Sequence, residues 1–122
     1  MSSLFILLIL LQLKHWFVDF VLQTDDMVKG KGIYGNPDGV NHSLQHAIAT
    51  LWIVFYVTWN PLLAIGLSAL DFITHYHIDY VKIKYGERDI TLKQFWTQLG
   101  LDQMAHQLTY ILFAVIYWIN HA

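Results

Sequence analysis

The sequence predicts an all-α protein, a four-helix transmembrane bundle in a single domain, and its composition and hydropathy pattern support this. Of 122 residues, 56% are hydrophobic, 16% aromatic and 13% charged. A soluble domain of this length would need more polar surface. Its interior would also be too small to bury five Trp, seven Tyr and seven Phe together with the aliphatic residues. The apolar residues form four stretches, each close to the roughly 20 residues that cross a bilayer.

Turn signals separate these stretches and place the helices at about residues 2–27, 41–59, 62–84 and 91–120 of one domain, 1–122. The first helix lacks the basic start and the small-residue cleavage site of a signal peptide, so we expect it in the mature protein. A glycine-rich loop with the turn signal Asn36-Pro37-Asp38-Gly39 follows it. Asn60-Pro61 predicts a tight reversal, which makes the second and third helices antiparallel neighbours.

Basic residues predict the orientation in the membrane. Six of the seven Lys and Arg residues lie in or beside the first and third loops: Lys29, Lys31, Lys82, Lys84, Arg88 and Lys93. By the positive-inside rule these loops face the cytoplasm and both termini face the other side. The lipid bilayer is then the expected partner, and homo-oligomerisation stays open. A net charge of -2 without a basic stripe among the aromatic residues excludes nucleic acid as a partner.

Each predicted helix carries His or Asp residues four positions apart, a spacing that places them on one helix face. The sets are His15 and Asp19; His42 and His46; Asp71, His75 and Asp79; and Asp102 and His106. Four helices of a bundle can aim such side chains at one point. We therefore expect seven metal ligands: His15, Asp19, His46, His75, Asp79, Asp102 and His106. A lone His or Asp in a membrane helix is often only an interhelical hydrogen-bond partner, and that alternative applies to each set taken alone.

The charge balance indicates the number and kind of ions. Within the predicted spans only Lys14 opposes four carboxylates, those of Asp19, Asp71, Asp79 and Asp102. Protonation of the carboxylates is one solution, and two divalent ions are the other. The chain has no cysteine, so the ligands must be nitrogen and oxygen atoms, and the mixed His/Asp set suits Zn, Mn or Fe. We expect a dinuclear centre in the cytoplasmic half of the bundle.

Other polar residues near these sets have expected supporting roles. Asp71 lies one turn from His75 on the same face, so it is the candidate general base toward a metal-bound water. Gln23, His42 and Gln103 are candidates to orient the ligands, or else ordinary polar contacts between helices. His42 starts its predicted helix, so a capping role is also open for it.

Several motifs together resemble a known family. They are the segment His15-Trp16-Phe17-Val18-Asp19-Phe20-Val21-Leu22-Gln23, the His42 to His46 pair, the stretch DFITHYHIDY from Asp71 to Tyr80, and the segment from Leu101 to His106. This pattern, with its HWxxDFxLQ signature, is similar to DUF3307, a domain-of-unknown-function family of small bacterial and phage integral membrane proteins. The resemblance implies a multi-pass protein of a bacterial inner membrane but no reaction.

A more distant resemblance, to bacterial membrane-bound metal-dependent hydrolases, implies hydrolysis by a metal-bound water. On that basis we expect a hydrolase of a lipid-linked or membrane-accessible phosphoester. Two alternatives stay open at this point. One is a component that transports protons or metal ions. The other is a non-catalytic phage or bacterial membrane module whose polar residues only fix the helix packing.

Overall fold

Five α-helices and one π-helical segment make up the described part of the protein. The structure, a computed structural model, describes residues 2–121, and no strand occurs in that range. The helices are α1 (Ser3–Phe17), which continues as a π-helical segment over Val18–Leu22, then α2 (Asp25–Lys31), α3 (Pro37–Thr58), α4 (Pro61–Tyr85) and α5 (Lys93–His121). The all-α prediction is therefore confirmed, with one short helix added to the four long ones.

The first predicted helix, residues 2–27, is two helices in the structure, and the difference has a local cause. The chain becomes extended at Gln23 and Thr24, and the Thr24 hydroxyl accepts a hydrogen bond from the Met27 backbone nitrogen at 3.2 Å. A threonine in this position is a favourable N-cap. A new helix, α2, therefore starts at Asp25, and it occupies the connection that the glycines predicted as a loop.

Asn-Pro pairs start both central helices. Asn36 and Asn60 adopt extended conformations and cap α3 and α4, and each is followed by a proline at the first helical position. Proline suits this position because its fixed φ is already helical and its missing N–H would have no partner there. For this reason α3 starts at Pro37, before the predicted start at residue 41. The Asn60-Pro61 reversal makes α3 and α4 consecutive neighbours, and they share the most extensive contact between any two helices.

The buried face of each long helix changes from apolar to polar at the same level of the bundle. One end holds an apolar cluster, formed by Leu7, Leu11, Val54, Ala64, Leu67, Tyr110 and Phe113. The other end, next to α2 and the connection between α4 and α5, holds most of the buried polar side chains: Lys14, His15, Asp19, Lys31, His42, His46, Thr50, Asp71, His75, Asp79, Asp102 and His106. The interior of this end is therefore built from titratable groups.

Large apolar side chains point away from the interior on every long helix. Trp52 and Tyr56 on α3, Ile65 on α4 and Ile111 on α5 are each more than half exposed. By length and composition, Ser3–Leu22 is the one stretch of the described residues that passes as a membrane-crossing helix. The finer prediction of four crossing helices is therefore not confirmed by this test. The polar residues on the inner faces of α3, α4 and α5 lower the hydropathy of those helices.

Candidate metal centre

Two helices, α3 and α4, and the π-helical segment bring four potential ligands together in the polar half of the interior. These are Asp19, His42, His46 and His75, and we call them the first donor group. One ligand atom from each lies within 4.8 Å of all the others, and all four residues are buried. The Asp19 Oδ1 atom lies 3.0 Å from His42 Nε2, 2.7 Å from His46 Nε2 and 3.8 Å from His75 Nε2. Three imidazoles and one carboxylate therefore converge on one point.

A second donor group lies directly beside the first and shares His75 with it. It consists of His75, Asp79 and His106, whose ligand atoms also lie within 4.8 Å of one another. Asp79 Oδ2 lies 3.0 Å from His75 Nε2, and Asp79 Oδ1 lies 3.1 Å from His106 Nε2. The Nε2 atoms of His42 and His75 are 3.3 Å apart, so the two groups are contiguous.

The π-helical segment positions Asp19. An extra residue per turn over Val18–Leu22 shifts the register of the helix next to the donor groups, and such segments occur frequently at functional sites. The predicted orienting residue Gln23 donates its Nε2 hydrogen to the Asp19 backbone oxygen at 3.2 Å. Gln23 thus contacts the backbone of Asp19 and makes no hydrogen bond to its carboxylate.

His15, a predicted ligand, lies outside both donor groups because both of its ring nitrogens have other partners. Gln103 Nε2 donates to Asp102 Oδ2 at 3.1 Å, which turns the Gln103 Oε1 atom toward His15 Nε2 at 2.9 Å. His15 Nε2 is therefore a donor, also 3.1 Å from Asp19 Oδ2, and its Nδ1 accepts from the Tyr110 hydroxyl at 2.9 Å. In this arrangement His15 orients the Asp19 carboxylate. Gln103 contacts His15 and Asp102 and no member of either donor group directly, so the orienting role predicted for it would act on His15.

Asp71 and Asp102 also lie outside both donor groups. The Oδ2 atom of Asp71 accepts hydrogen bonds from the Lys14 ammonium at 2.8 Å and from the Thr50 hydroxyl. This places the candidate general base in an ion pair and not against the donor atoms. Asp102 lies nearer, with its Oδ1 atom 3.4 Å from His106 Nε2.

Lysines supply more positive charge than the sequence indicated. Each of three carboxylates has a lysine partner: Lys14 at 2.8 Å from Asp71, Lys31 at 3.0 Å from Asp79 and Lys82 at 3.1 Å from Asp102. The assumption that only Lys14 opposes the four carboxylates is therefore wrong. Asp19 has no lysine partner in the part of the chain that the structure describes, and its contacts are to histidines. Three lysines balance three of the four buried carboxylates, so charge balance requires one more positive charge, at Asp19, and not two divalent ions.

Sequence reasoning assigned too small a role to His42 and missed the lysines. His42 is fully buried in the first donor group, and its spacing of four from His46 was the available signal.

Lys82 follows Asp79 by three positions and so shares its helix face. Lys31 carries no such signal, because its position depends on how α2 packs against α3 and α4. His77 lies outside the centre, where its Nε2 atom is 3.0 Å from the Tyr34 hydroxyl.

A cavity between α4 and α5 leads toward the second donor group. Its volume is about 550 Å³, and apolar side chains form most of its wall, among them Ile78, Val81 and Leu101. Lys82 and Asp102 also line it. Since Asp102 lies 3.4 Å from His106, the cavity is one residue away from the donor atoms. Its volume is within the range of small-molecule binding sites.

The chain was compared with known families, curated proteins and solved structures. The family model described as a protein of unknown function (DUF3307) matches residues 6–122. No curated protein and no solved structure matches the chain. The match covers all four sets of His and Asp residues, but its description assigns no activity to them.

Proposed function

Because the chain belongs to the DUF3307 family, whose description assigns no activity, we propose its function from its own side chains. It is an integral membrane metalloprotein that binds a divalent ion in the first donor group and hydrolyses a lipid-linked phosphoester. The ion is Zn, Mn or Fe, the metals that suit a mixed set of imidazole and carboxylate ligands.

The convergence of the first donor group is the observation that carries this proposal. Asp19, His42, His46 and His75 place three imidazole nitrogens and one carboxylate oxygen within 4.8 Å of one another. The Nε2 atoms of His42 and His75 lie 3.3 Å apart. This is close to the separation of two nitrogen ligands that each lie about 2.0–2.1 Å from one tetrahedral Zn²⁺. A cation would give the three Nε2 atoms a common partner.

The charge of the interior favours an anionic substrate. Three lysines oppose four carboxylates, so with neutral imidazoles the interior carries one net negative charge. One divalent ion would leave it with one net positive charge. An anionic phosphoester compensates such a charge, whereas a neutral amide does not. The ion would act as a Lewis acid and activate a bound water for attack.

The cavity between α4 and α5 supports a lipid as the carrier of the phosphoester. Its wall is mostly apolar, and Lys82 and Asp102 place polar groups where it approaches the centre. The surrounding outer faces of α4 and α5 carry exposed apolar side chains, for example Val81 and Leu101. An acyl or prenyl chain could therefore occupy the cavity while its phosphate lies toward His106.

A transport pathway is the second candidate, and a continuous series of polar contacts favours it. The series runs from Lys82 and Asp102 through both donor groups to Lys14 and Asp71. Beyond Asp71, however, the apolar cluster fills the interior, and its members Leu11, Val54 and Leu67 are almost fully buried. The polar series therefore ends inside the protein in this conformation, which supports a closed site more than a pathway.

The first experiment is elemental mass spectrometry on protein purified in detergent, washed with a mild chelator and loaded with Zn²⁺ or Mn²⁺. We expect the wild type to retain metal, and Asp19→Asn and His42→Ala to lose it because each removes a member of the first donor group. His77→Ala is the matched control, since its ring lies outside the centre and should leave the metal content unchanged. His15→Gln should also retain metal, because His15 bonds to Asp19 and not to the ion.

The metal centre, the residues assigned to it and the hydrolase reaction can each be contradicted by a separate result. A metal-free wild type would contradict the metal centre and favour a polar packing network. Circular dichroism must first confirm that Asp19→Asn and His42→Ala are helical. If both helical variants then hold as much metal as the wild type, the first donor group is not the metal site. Phosphate release from a long-chain phosphomonoester or phosphodiester in mixed micelles tests the reaction. If metal-loaded protein releases none, the hydrolase part is wrong and the metal site stands.

A further inference from the structure

A lysine from the short helix α2 reaches the second donor group. Lys31 Nζ lies 3.0 Å from Asp79 Oδ2, the same oxygen that lies 3.0 Å from His75 Nε2 and 3.6 Å from His42 Nε2. Only 5% of the Lys31 side chain is exposed. Lys29, on the same helix, is exposed. The ammonium of Lys31 is therefore a buried cation placed on the central carboxylate of this group.

A contact between two glycines holds α2 in the position that buries Lys31. A Cβ atom on Gly39 of α3 would lie 2.9 Å from the Gly30 backbone oxygen and 3.1 Å from the Lys31 Cα atom. A Cβ atom on Gly30 would lie 2.4 Å from the Asn36 Oδ1 atom. Such distances leave no room for a side chain at either position. The backbones of α2 and α3 touch here, and the residue that follows Gly30 is directed inward.

A metal ion and the Lys31 ammonium would compete at Asp79. A divalent ion bound to Asp79 Oδ2 at the usual 2.0–2.2 Å would lie within about 5 Å of the lysine nitrogen. Two positive centres at that separation repel each other, and the low dielectric of a buried site strengthens the repulsion. The carboxylate of the first donor group, Asp19, has no lysine partner among the described residues, and Lys14 contacts the Nδ1 side of His46 at 2.9 Å and not its Nε2 atom.

We propose that Lys31 is the resident cation of the second donor group, and that it limits the centre to one divalent ion per chain. This inference rests on the proposed metal centre. It replaces the expected pair of ions by one metal ion and one ammonium. Removal of the Lys31 charge would then open the second donor group to a second ion held by Asp79 and His106, since the single lone pair of His75 Nε2 would already serve the first ion.

The test is the number of metal ions per chain in wild type, Lys31→Met, Lys31→Arg and Lys29→Met, each loaded with Mn²⁺ in detergent. We expect the ratio to double from one ion in the wild type to two in Lys31→Met. Lys31→Arg keeps the positive charge and Lys29→Met removes an exposed one, so both should hold one ion. Electron paramagnetic resonance should detect a coupled Mn²⁺ pair in Lys31→Met alone.

The outcomes separate this inference from the proposed function. A wild type without metal contradicts the proposed centre itself. A wild type that holds two ions, or a helical Lys31→Met protein that holds one or none, contradicts the role of Lys31 and leaves the metal centre of the wild type in place. If Lys31→Met does not fold, Lys31→Gln takes its place, and the wild-type ratio alone still decides whether the second group accepts a metal ion.

Discussion

Lys14 is the residue that connects the donor groups to the apolar half of the protein. Its ammonium lies 2.8 Å from Asp71 Oδ2 and 2.9 Å from His46 Nδ1. An ammonium has only donors, so the Nδ1 atom of His46 accepts, and its Nε2 hydrogen is directed to Asp19 Oδ1 at 2.7 Å. Metal ligands must be deprotonated. Binding of an ion at this nitrogen would therefore require its hydrogen to move to Nδ1, and Lys14 would then keep only its contact with Asp71.

The Lys14–Asp71 pair should show the energetics of a buried ion pair. Asp71→Leu leaves the Lys14 charge buried without its partner, which typically costs about 3–5 kcal/mol. The double variant Lys14→Met/Asp71→Leu removes both charges, and we expect it to recover most of that loss. Denaturant unfolding in detergent, followed by tryptophan fluorescence, measures both. A double variant as unstable as Asp71→Leu would contradict this interpretation.

At the scale of the elements, α2 is the part of the fold that completes the polar end. It packs against both α3 and α4, although it has only seven residues, Asp25–Lys31. A helix of this length is not stable in isolation. Its position therefore depends on the N-cap at Thr24 and on the glycine contact with α3, and the burial of Lys31 depends on α2.

Two glycine substitutions should change stability in opposite directions. Gly39→Ala forces a methyl group against the backbone of Gly30, and we expect a loss of about 1–3 kcal/mol, as for overpacking elsewhere. Gly66→Ala lies in the exposed interior of α4 with nothing within 4 Å of the added Cβ, so we expect a gain of about 0.5–1 kcal/mol. The same unfolding assay compares them. If Gly39→Ala is as stable as Gly66→Ala, the close contact between α2 and α3 does not exist.

On the scale of the whole molecule, polar side chains are buried and large apolar ones are exposed, which is the arrangement that the proposed membrane location requires. Titratable side chains occupy the interior, while Trp52, Tyr56 and Ile65 are exposed at 66%, 67% and 59%. In water, such contiguous apolar surface would cause association. In a bilayer it would be the preferred outer surface, and most buried polar side chains would keep one another as partners.

Tryptophan quenching tests this membrane placement. We expect strong quenching of Trp52, on the outer face of α3, in a single-Trp protein reconstituted with lipids brominated at mid-chain. Trp96 lies near the start of α5, where its Nε1 donates to the Ile90 backbone oxygen at 2.8 Å, and it should be quenched less in a matched single-Trp protein. Absence of quenching at Trp52 would contradict insertion of α3.

The sequence by itself determined the four long helices and the polar face of each one. Helical periodicity is local, so residues four positions apart, such as His42 and His46 or His75 and Asp79, must share a face whatever surrounds them. The Asn60-Pro61 reversal was readable for the same reason, since proline restricts only its immediate neighbours. These local rules were sufficient to identify all members of both donor groups as polar positions of interest.

Only the tertiary structure decided which of these polar positions belong to a donor group and which contact other partners. Lys14 and Asp71 are 57 positions apart, and His15 and Tyr110 are 95 apart, so no local spacing encodes their contacts. The packing of α2 brings Lys31 to Asp79, and the Gln103 amide oxygen accepts a hydrogen bond from the His15 nitrogen that also faces Asp19. Charge balance in a buried cluster depends on such distant partners. For this reason composition and spacing predicted the polar cluster, but only the packed helices assigned a role to each of its members.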